Sequence, residues 1–178
     1  STTAVCVKEI SEGKQAWIEL ASGIKSAKMH PGQHKIRRGL FVDPDDEEVT
    51  AFVTQNKSLD VYSSAYEFIL DRKPTKRDLR ACPKRGDYFA EVEAGHVFSK
   101  ETQASSHKAC IAFIQTLCSR LAIPADSIRV QYNGNASYYI DVPREVFGLG
   151  GEEGHVVHLN RMYELMTEAV MGQMPDEH

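Results

Sequence analysis

Apolar side chains recur at helical spacing twice in the second half of the chain. Over 102–122 a stripe that includes Cys110 and Leu117 predicts a helix, and Pro124 ends it. Over 155–171 the same spacing predicts a final helix. This half of the chain therefore carries the most regular pattern in the sequence.

Three short stretches in the same half predict strands. They are 87–93, 128–132 and 138–142, and an Asn-Gly turn lies between the last two. The predicted order from residue 87 is β-α-β-β-α. This order matches the split β-α-β unit of a four-stranded antiparallel sheet, with the last strand missing.

The first 71 residues predict a mixed α/β region. Helical spacing predicts a helix over 11–28, and Pro44, followed by four acidic residues, begins a second helix that ends near Gln55. A short strand is expected over 39–42. The Val-, Tyr- and Phe-rich stretch 59–70 predicts a further strand with a bend in its middle.

The composition is that of an ordinary globular protein. The chain has 178 residues, of which 42% are hydrophobic and 26% charged, which excludes a disordered chain, a collagen-like chain and a coiled-coil rod. No apolar run approaches the length of a membrane span, and the first eight residues lack the core of a signal peptide. We therefore expect no membrane partner. The spacing of the four cysteines fits no zinc module, and we expect a reduced, cytoplasmic protein.

These patterns predict an α+β fold in three parts. An N-terminal α/β region covers 1–71, and a basic connection covers 72–86. An RRM-like β-α-β-β-α unit that lacks its last strand covers 87–178.

The connection concentrates positive charge in a chain whose net charge is −4. Its cations are Arg72, Lys73, Lys76, Arg77, Arg80, Lys84 and Arg85. A local positive field attracts phosphate whatever the total charge, so this segment is a candidate contact for nucleic acid.

Two further features are candidates for chemistry. Glu91 and Glu93 lie on the same face of their predicted strand, about 7 Å apart, where they could hold one or two hard divalent cations. The alternative is that both carboxylates belong to the solvated face of an edge strand and bind nothing.

The loop 133–136 could present backbone N–H groups to phosphate, and the alternative is that it is an ordinary hairpin loop. His155 and His158, predicted on one helix face, suggest a metal pair or polar surface.

Residues 59–171 resemble the archaeo-eukaryotic primase superfamily, which includes primase-polymerases. The acidic-x-acidic strand 86–93 is similar to the first catalytic motif of that family, and 133–148 is similar to the second. Two further segments agree with the family in order and spacing: a Tyr-x-Ser-containing strand at 59–68, and 122–130 after the long helix.

The resemblance implies a DNA-directed nucleotidyltransferase of DNA replication or of a mobile element. Glu91 and Glu93 would be catalytic and would hold Mg²⁺ or Mn²⁺. A nucleoside triphosphate would be bound by Asn133, Gly134, Asn135, Ser137 and Tyr139. The basic connection would contact single-stranded or template DNA.

The sequence departs from the family pattern at three points. Glutamates stand at Glu91 and Glu93, where members usually carry Asp-x-Asp or Asp-x-Glu, and Tyr139 stands where members carry histidine. The aspartate expected on a strand after the last helix has no counterpart before His178. Either a further domain or subunit completes the fold, or the domain is degenerate and has kept the fold and DNA binding.

Two alternatives to the enzyme remain open. One is a non-catalytic nucleic-acid-binding or assembly module, in which Tyr132, Tyr138 or Tyr139 stacks on exposed bases from a sheet face. The other is a protein–protein scaffold. The scaffold hypothesis predicts that neutralising the basic connection leaves affinity for single-stranded DNA unchanged.

Overall fold

A computed structural model describes residues 10–23, 36–95 and 99–174, apart from the side chain of Glu153. Within these residues the chain forms an α+β fold, as the sequence predicts, with eight strands and four α-helices. The strands are β1 (Gln15–Gly23), β2 (Arg37–Val42), β3 (Asp60–Ser63), β4 (Glu67–Leu70), β5 (Lys84–Arg85), β6 (Tyr88–Glu93), β7 (Arg129–Tyr132) and β8 (Ser137–Val142). The helices are α1 (Glu47–Gln55), α2 (Asp78–Ala81), α3 (Lys100–Leu121) and α4 (Leu159–Met171). Across the described ranges, no helix is both long and apolar enough to cross a membrane.

The chain divides into two compact units. The first runs to Arg85 and includes 151–157, and the second comprises 86–150 and the residues from 158 onward. The basic segment 72–85 therefore belongs to the first unit. It carries α2 and β5 and contributes a strand to the sheet of that unit.

The first unit is built on a five-stranded sheet in which β1 is the shared strand. β1 pairs with β2, β3 and β4, all antiparallel, and β5 extends the sheet beyond β4. A buried cluster of Phe41, Phe68 and Cys82 lies under this sheet, with Trp17 packed against it. The two phenylalanine rings meet edge to face, with centroids 6.0 Å apart.

The predicted helix over 11–28 is wrong where the structure describes it. Residues 15–23 form β1, and 24–28 lie outside the described residues. Leu20, Ala21 and Ser22 are buried in succession, so both faces of this part of β1 are covered, and β2 and β3 pair along its two edges. Burial of successive residues removes the period-two signal of a strand, and apolar residues four apart then imitate a helix.

Other predicted elements of the first unit are confirmed with adjusted bounds. The helix after Pro44 is α1, and the carboxylate of its N-cap Asp46 accepts a hydrogen bond from the Glu48 N–H at 3.1 Å. The stretch 59–70 forms β3 and β4 on either side of the expected bend.

The second unit is a three-stranded antiparallel sheet with helices on one face. Its strand order is β6-β8-β7, which places β8 at the centre. α3 contacts β6 and β8, and α4 contacts β6. The face under the helices carries the buried side chains of Tyr88, Ala90, Ile140 and Val142. Tyr88 packs edge to face on Tyr163 of α4, with centroids 5.4 Å apart.

The ends of α3 follow capping rules, whereas α4 begins later than predicted. Ser99 caps α3 through a 3.0 Å bond from the Thr102 N–H, and Ala122 ends the helix in the left-handed region with φ 54°. α4 begins at Leu159, so His155 and His158 precede it and do not share a helix face. That part of the prediction is wrong because the N–H and the carbonyl of Val156 are both bonded to the backbone of Lys84, at 2.9 and 3.0 Å, which holds this segment in an extended bridge rather than a helix.

A carboxylate clamp stabilises the start of α2. Asp78 accepts two hydrogen bonds from Arg72, each 2.9 Å long, and two more from the backbone N–H and hydroxyl of Thr75. These donors, with the Arg72 bonds the strongest, hold the pKa of Asp78 well below its usual range. The ionised form therefore stabilises the fold at neutral pH, and this contribution is lost as pH falls through the folded-state pKa.

Replacing Asp78 with asparagine should lower the urea midpoint of the first unit at pH 7. The difference from the wild type should shrink in strong acid, where the wild-type carboxyl also gains a proton. The fluorescence of Trp17, the single tryptophan, follows this unit. The exposed Asp45, whose carboxylate accepts no hydrogen bond among the described residues, gives the control variant Asp45→Asn. Equal midpoints for Asp78→Asn and Asp45→Asn at pH 7 would show that the clamp is not stabilising.

Candidate functional site

The face of the second sheet opposite α3 and α4 carries aromatic and charged side chains. We call it the open face. It is formed by Phe89, Glu91 and Glu93 of β6, Ser137, Tyr139 and Asp141 of β8, and Arg129 and Gln131 of β7. Phe89 is 42% exposed, and the side chains of Glu91 and Glu93 are also exposed. This surface is the candidate site.

The register of β6 and β8 brings the two predicted motifs together. Glu91 lies directly opposite Tyr139, and Glu93 lies opposite Ser137. Directly opposed residues have Cβ atoms about 4.5–5.5 Å apart, within reach of one small ligand. Both pairs lie on the open face by strand alternation, but only three of the four residues reach its surface. Glu91 and Glu93 are exposed and Tyr139 is half-buried, whereas Ser137 is buried, with 3% of its surface exposed, so its predicted contact with a nucleotide has little support from its position.

The carboxylates provide part of a metal site. The side chain of Glu91 makes no hydrogen bond or ion pair within the described ranges, so its oxygens are accessible to a ligand. Among the described residues no group of three or more His, Cys, Asp or Glu side chains could hold a metal ion. Magnesium is commonly bound by one or two protein carboxylates together with substrate phosphates and water. The donor chemistry of Glu91 and Glu93 fits that mode, with the remaining ligands supplied from outside the protein.

The loop before β8 is held by its own hydrogen bonds. The side-chain oxygen of Asn133 accepts from the N–H groups of Asn135 and Ser137, at 2.8 and 3.1 Å. The hydroxyl of Tyr132 donates to the carbonyl of Asn135. Gly134 occupies the exposed tip with φ 80°, a conformation that favours glycine. The Asn133 N–H is also bonded, to the carbonyl of Ser137 at 3.1 Å. The N–H groups of Asn133, Asn135 and Ser137 are therefore already used, so the phosphate contact expected from this loop is limited to the N–H groups near its tip.

The three candidate stacking tyrosines lie on different sides of the sheet. Tyr138 contacts His107 of α3 and Tyr132, with ring centroids 5.8 and 5.0 Å apart, so both of these tyrosines lie on the helix side. Tyr139 lies on the open face, and its ring is 5.5 Å from Phe89 at a tilt of 34°. Phe89 was not among the predicted site residues, although strand alternation places it on the face of Glu91.

A second group that sequence reasoning missed lies at one end of the open face. Asp141 is directly opposite Phe89 on one side and Arg129 on the other. The pKa of Asp141 is raised overall. Burial is the largest cause, the nearby Asp87 adds to it, and Arg129 partly offsets both by lowering the pKa. Arg129 donates a 3.1 Å hydrogen bond to Asp87. The sequence signal for Asp141 was its period-two spacing from Ser137 and Tyr139.

The basic segment lies in the first unit, and only part of it is exposed. The Lys84 ammonium is buried and donates to the carbonyls of Cys82 and Val157, at 3.0 and 2.8 Å. Arg85 pairs with Glu67, and Arg72 is bound to Asp78. Arg72 is exposed but committed to Asp78. The cations that are exposed and form no ion pair among the described residues are Lys73, Lys76, Arg77 and Arg80.

Two surfaces thus follow from the geometry. In the second unit the open face combines an aromatic pair with exposed carboxylates, and in the first unit the segment 72–80 presents four exposed cations that are close together in the sequence. Comparison of the chain with protein-family models, with curated proteins and with solved structures found no match.

Proposed function

We propose that this chain is a primase-polymerase-like domain of DNA replication that binds a nucleotide and single-stranded nucleic acid on the open face. The observation that carries the proposal is the register of β6 and β8, which pairs Glu91 with Tyr139 and Glu93 with Ser137. The order β-α-β-β-α and the strand order β6-β8-β7 add support, because they match the order of the first three strands of an RRM-like unit, in which a fourth strand would pair with β6.

Charge explains why a divalent cation would be needed. The second unit holds six lysines and arginines against eleven aspartates and glutamates, so it repels phosphate on its own. Glu91 and Glu93 would hold Mg²⁺ or Mn²⁺, which supplies charge neutralisation for the triphosphate. Tyr139 presents a hydroxyl beside this pair, and such a group can donate one hydrogen bond to a bound oxygen.

The exposed cations of the first unit supply the second part of the proposal. Lys73, Lys76, Arg77 and Arg80 can contact the phosphates of template DNA without breaking a structural ion pair. Affinity that depends on such contacts falls as salt concentration rises.

A specific observation favours a second candidate, the non-catalytic nucleic-acid-binding module. The contact of Phe89 with Tyr139 on two adjacent strands gives a platform on which bases can stack without metal. The lack of a third metal-binding side chain within the described residues also agrees with a binding role. The two candidates differ in whether nucleotide binding requires the carboxylates.

Replacing Glu91 and Glu93 together with glutamine should weaken Mn²⁺-dependent binding of a deoxynucleoside triphosphate at least tenfold. Glutamine keeps the size of each side chain and removes the charge that attracts the cation. Calorimetric titration measures this loss. The matched control is Glu164→Gln with Glu168→Gln on α4, which removes the same charge from a helix that packs on the other side of the sheet. Equal binding by both double variants would exclude the carboxylates as metal ligands, and no binding by the wild type would leave only the binding module.

A further inference from the structure

The open face carries a pattern of donors and acceptors beside its aromatic pair. Phe89, Asp141 and Arg129 lie side by side across the three strands, in one cross-strand row. Tyr139 lies in the neighbouring row and contacts Phe89. A base stacked on the two rings would therefore have its edge beside Asp141 and Arg129.

Asp141 and Arg129, the polar residues of this row, have hydrogen-bond acceptors and donors that no described residue uses. Asp141 accepts no hydrogen bond from any described residue, and an ionised carboxylate offers two acceptor oxygens. Arg129 uses one donor on Asp87, and its side chain is 63% exposed, so other guanidinium N–H groups remain accessible. The row thus offers donors from Arg129 next to two acceptors from Asp141.

Among the bases, guanine has the complementary edge. It presents the O6 acceptor and then two adjacent donors, N1–H and the 2-amino group, which match the two oxygens of one carboxylate. Charge-assisted bidentate pairs of this kind are stronger than single neutral hydrogen bonds. Adenine and cytosine each offer one amine beside a ring acceptor, which would face the acceptor-only carboxylate. Thymine offers one ring N–H between two carbonyls and can satisfy only one of the two carboxylate oxygens.

We propose that the open face selects guanine, with Asp141 binding the N1–H and 2-amino groups of a base stacked on Phe89 and Tyr139. This inference rests on the proposed function and specifies the base that the same site prefers. Asp141 is two rows away from Glu93 along the sheet, about 13 Å in strand length. Base recognition and Glu93 therefore lie at opposite ends of the face, and Glu91 lies in the row between them, so the phosphates of a bound nucleotide would extend toward Glu93.

The test compares deoxynucleoside triphosphates by calorimetry in the presence of Mn²⁺. Wild-type protein should bind dGTP about tenfold more tightly than dITP, which differs only by the missing 2-amino group. This comparison needs no variant and is independent of any effect on folding. Asp141→Asn should reverse the preference and bind dXTP more tightly than dGTP, because the amide offers one donor and one acceptor to the carbonyl and N–H of xanthine.

The control and the outcomes separate the two proposals. Glu164→Gln on α4 removes one charge from the helix side of the unit and should keep the preference for dGTP. Equal affinity for dGTP, dITP, dATP, dCTP and dTTP would overturn the guanine assignment and leave the proposed function standing. An Asp141→Asn protein that still prefers dGTP over dXTP would overturn the role of Asp141. No binding of any of these nucleotides would overturn both proposals.

Discussion

Replacing Phe89 and Tyr139 together with alanine should weaken binding of a single-stranded oligonucleotide about a hundredfold. The two rings lie on the open face with centroids 5.5 Å apart, so both can support stacked bases. Each base stacked on an aromatic side chain contributes about 1–3 kcal/mol, and the two contributions overlap where one base covers both rings. Fluorescence anisotropy at one fixed salt concentration measures the loss, because affinity for nucleic acid depends on salt.

A matched aromatic control lies on the other side of the same sheet. Tyr132 is 44% exposed and packs against Tyr138 on the helix side, so Tyr132→Ala should change the affinity much less. Phe89→Leu with Tyr139→Leu should also bind weakly, because leucine keeps apolar surface but gives no ring to stack on. If Tyr132→Ala weakens binding as much as the double variant, the bases bind on the helix side and the open face is the wrong surface.

Replacing Leu117 with alanine should lower the free energy of unfolding of the second unit by about 2–5 kcal/mol. Leu117 lies in α3 with 0% of its surface exposed, so truncation leaves a cavity beneath the helix. A loss of this size is a large part of the stability of a typical domain, about 5–15 kcal/mol. Urea denaturation followed by far-UV circular dichroism measures it.

The same helix offers the control for this prediction. Ile111 is 46% exposed, and Ile111→Ala should change the free energy of unfolding by less than about 1 kcal/mol, because alanine is the better helix former and little burial is lost. Should Leu117→Ala unfold the protein completely, Leu117→Val removes one methylene and gives a smaller loss that can still be measured. A cost for Leu117→Ala no larger than that for Ile111→Ala would mean that α3 does not pack on the sheet through this face.

Local patterns predicted the second unit well. The apolar stripe of α3 and the alternation of β6 each arise from contacts between a single element and one buried face, which leaves a clear period in the sequence. Alternation alone also placed Glu91 and Glu93 on one face. The resemblance to primases stays a prediction, as do the catalytic and metal roles derived from it.

The sequence pattern predicted a helix where β1 forms, because the burial of β1 depends on strands that are distant from it in the chain. β1 has partners on both edges and buries consecutive residues, so no strand period survives in its sequence. The basic segment shows the same limit. Lys84 and Arg85 look like their exposed neighbours in the sequence, and only their tertiary partners, the carbonyls of Cys82 and Val157 and the carboxylate of Glu67, show that they are structural.

The kinds of element in the second unit, their order and the side chains of one strand that share a face could be predicted from the chain alone, because these depend on backbone periods of 2 and 3.6 residues. The register that pairs Glu91 with Tyr139 and brings Phe89 beside Asp141 became known from the folded chain. Register depends on which strands pair and how far each is shifted along the other, and a shift of one residue would turn every side chain to the opposite face. The candidate site is therefore a property of the pairing of β6 with β8, which neither strand encodes alone.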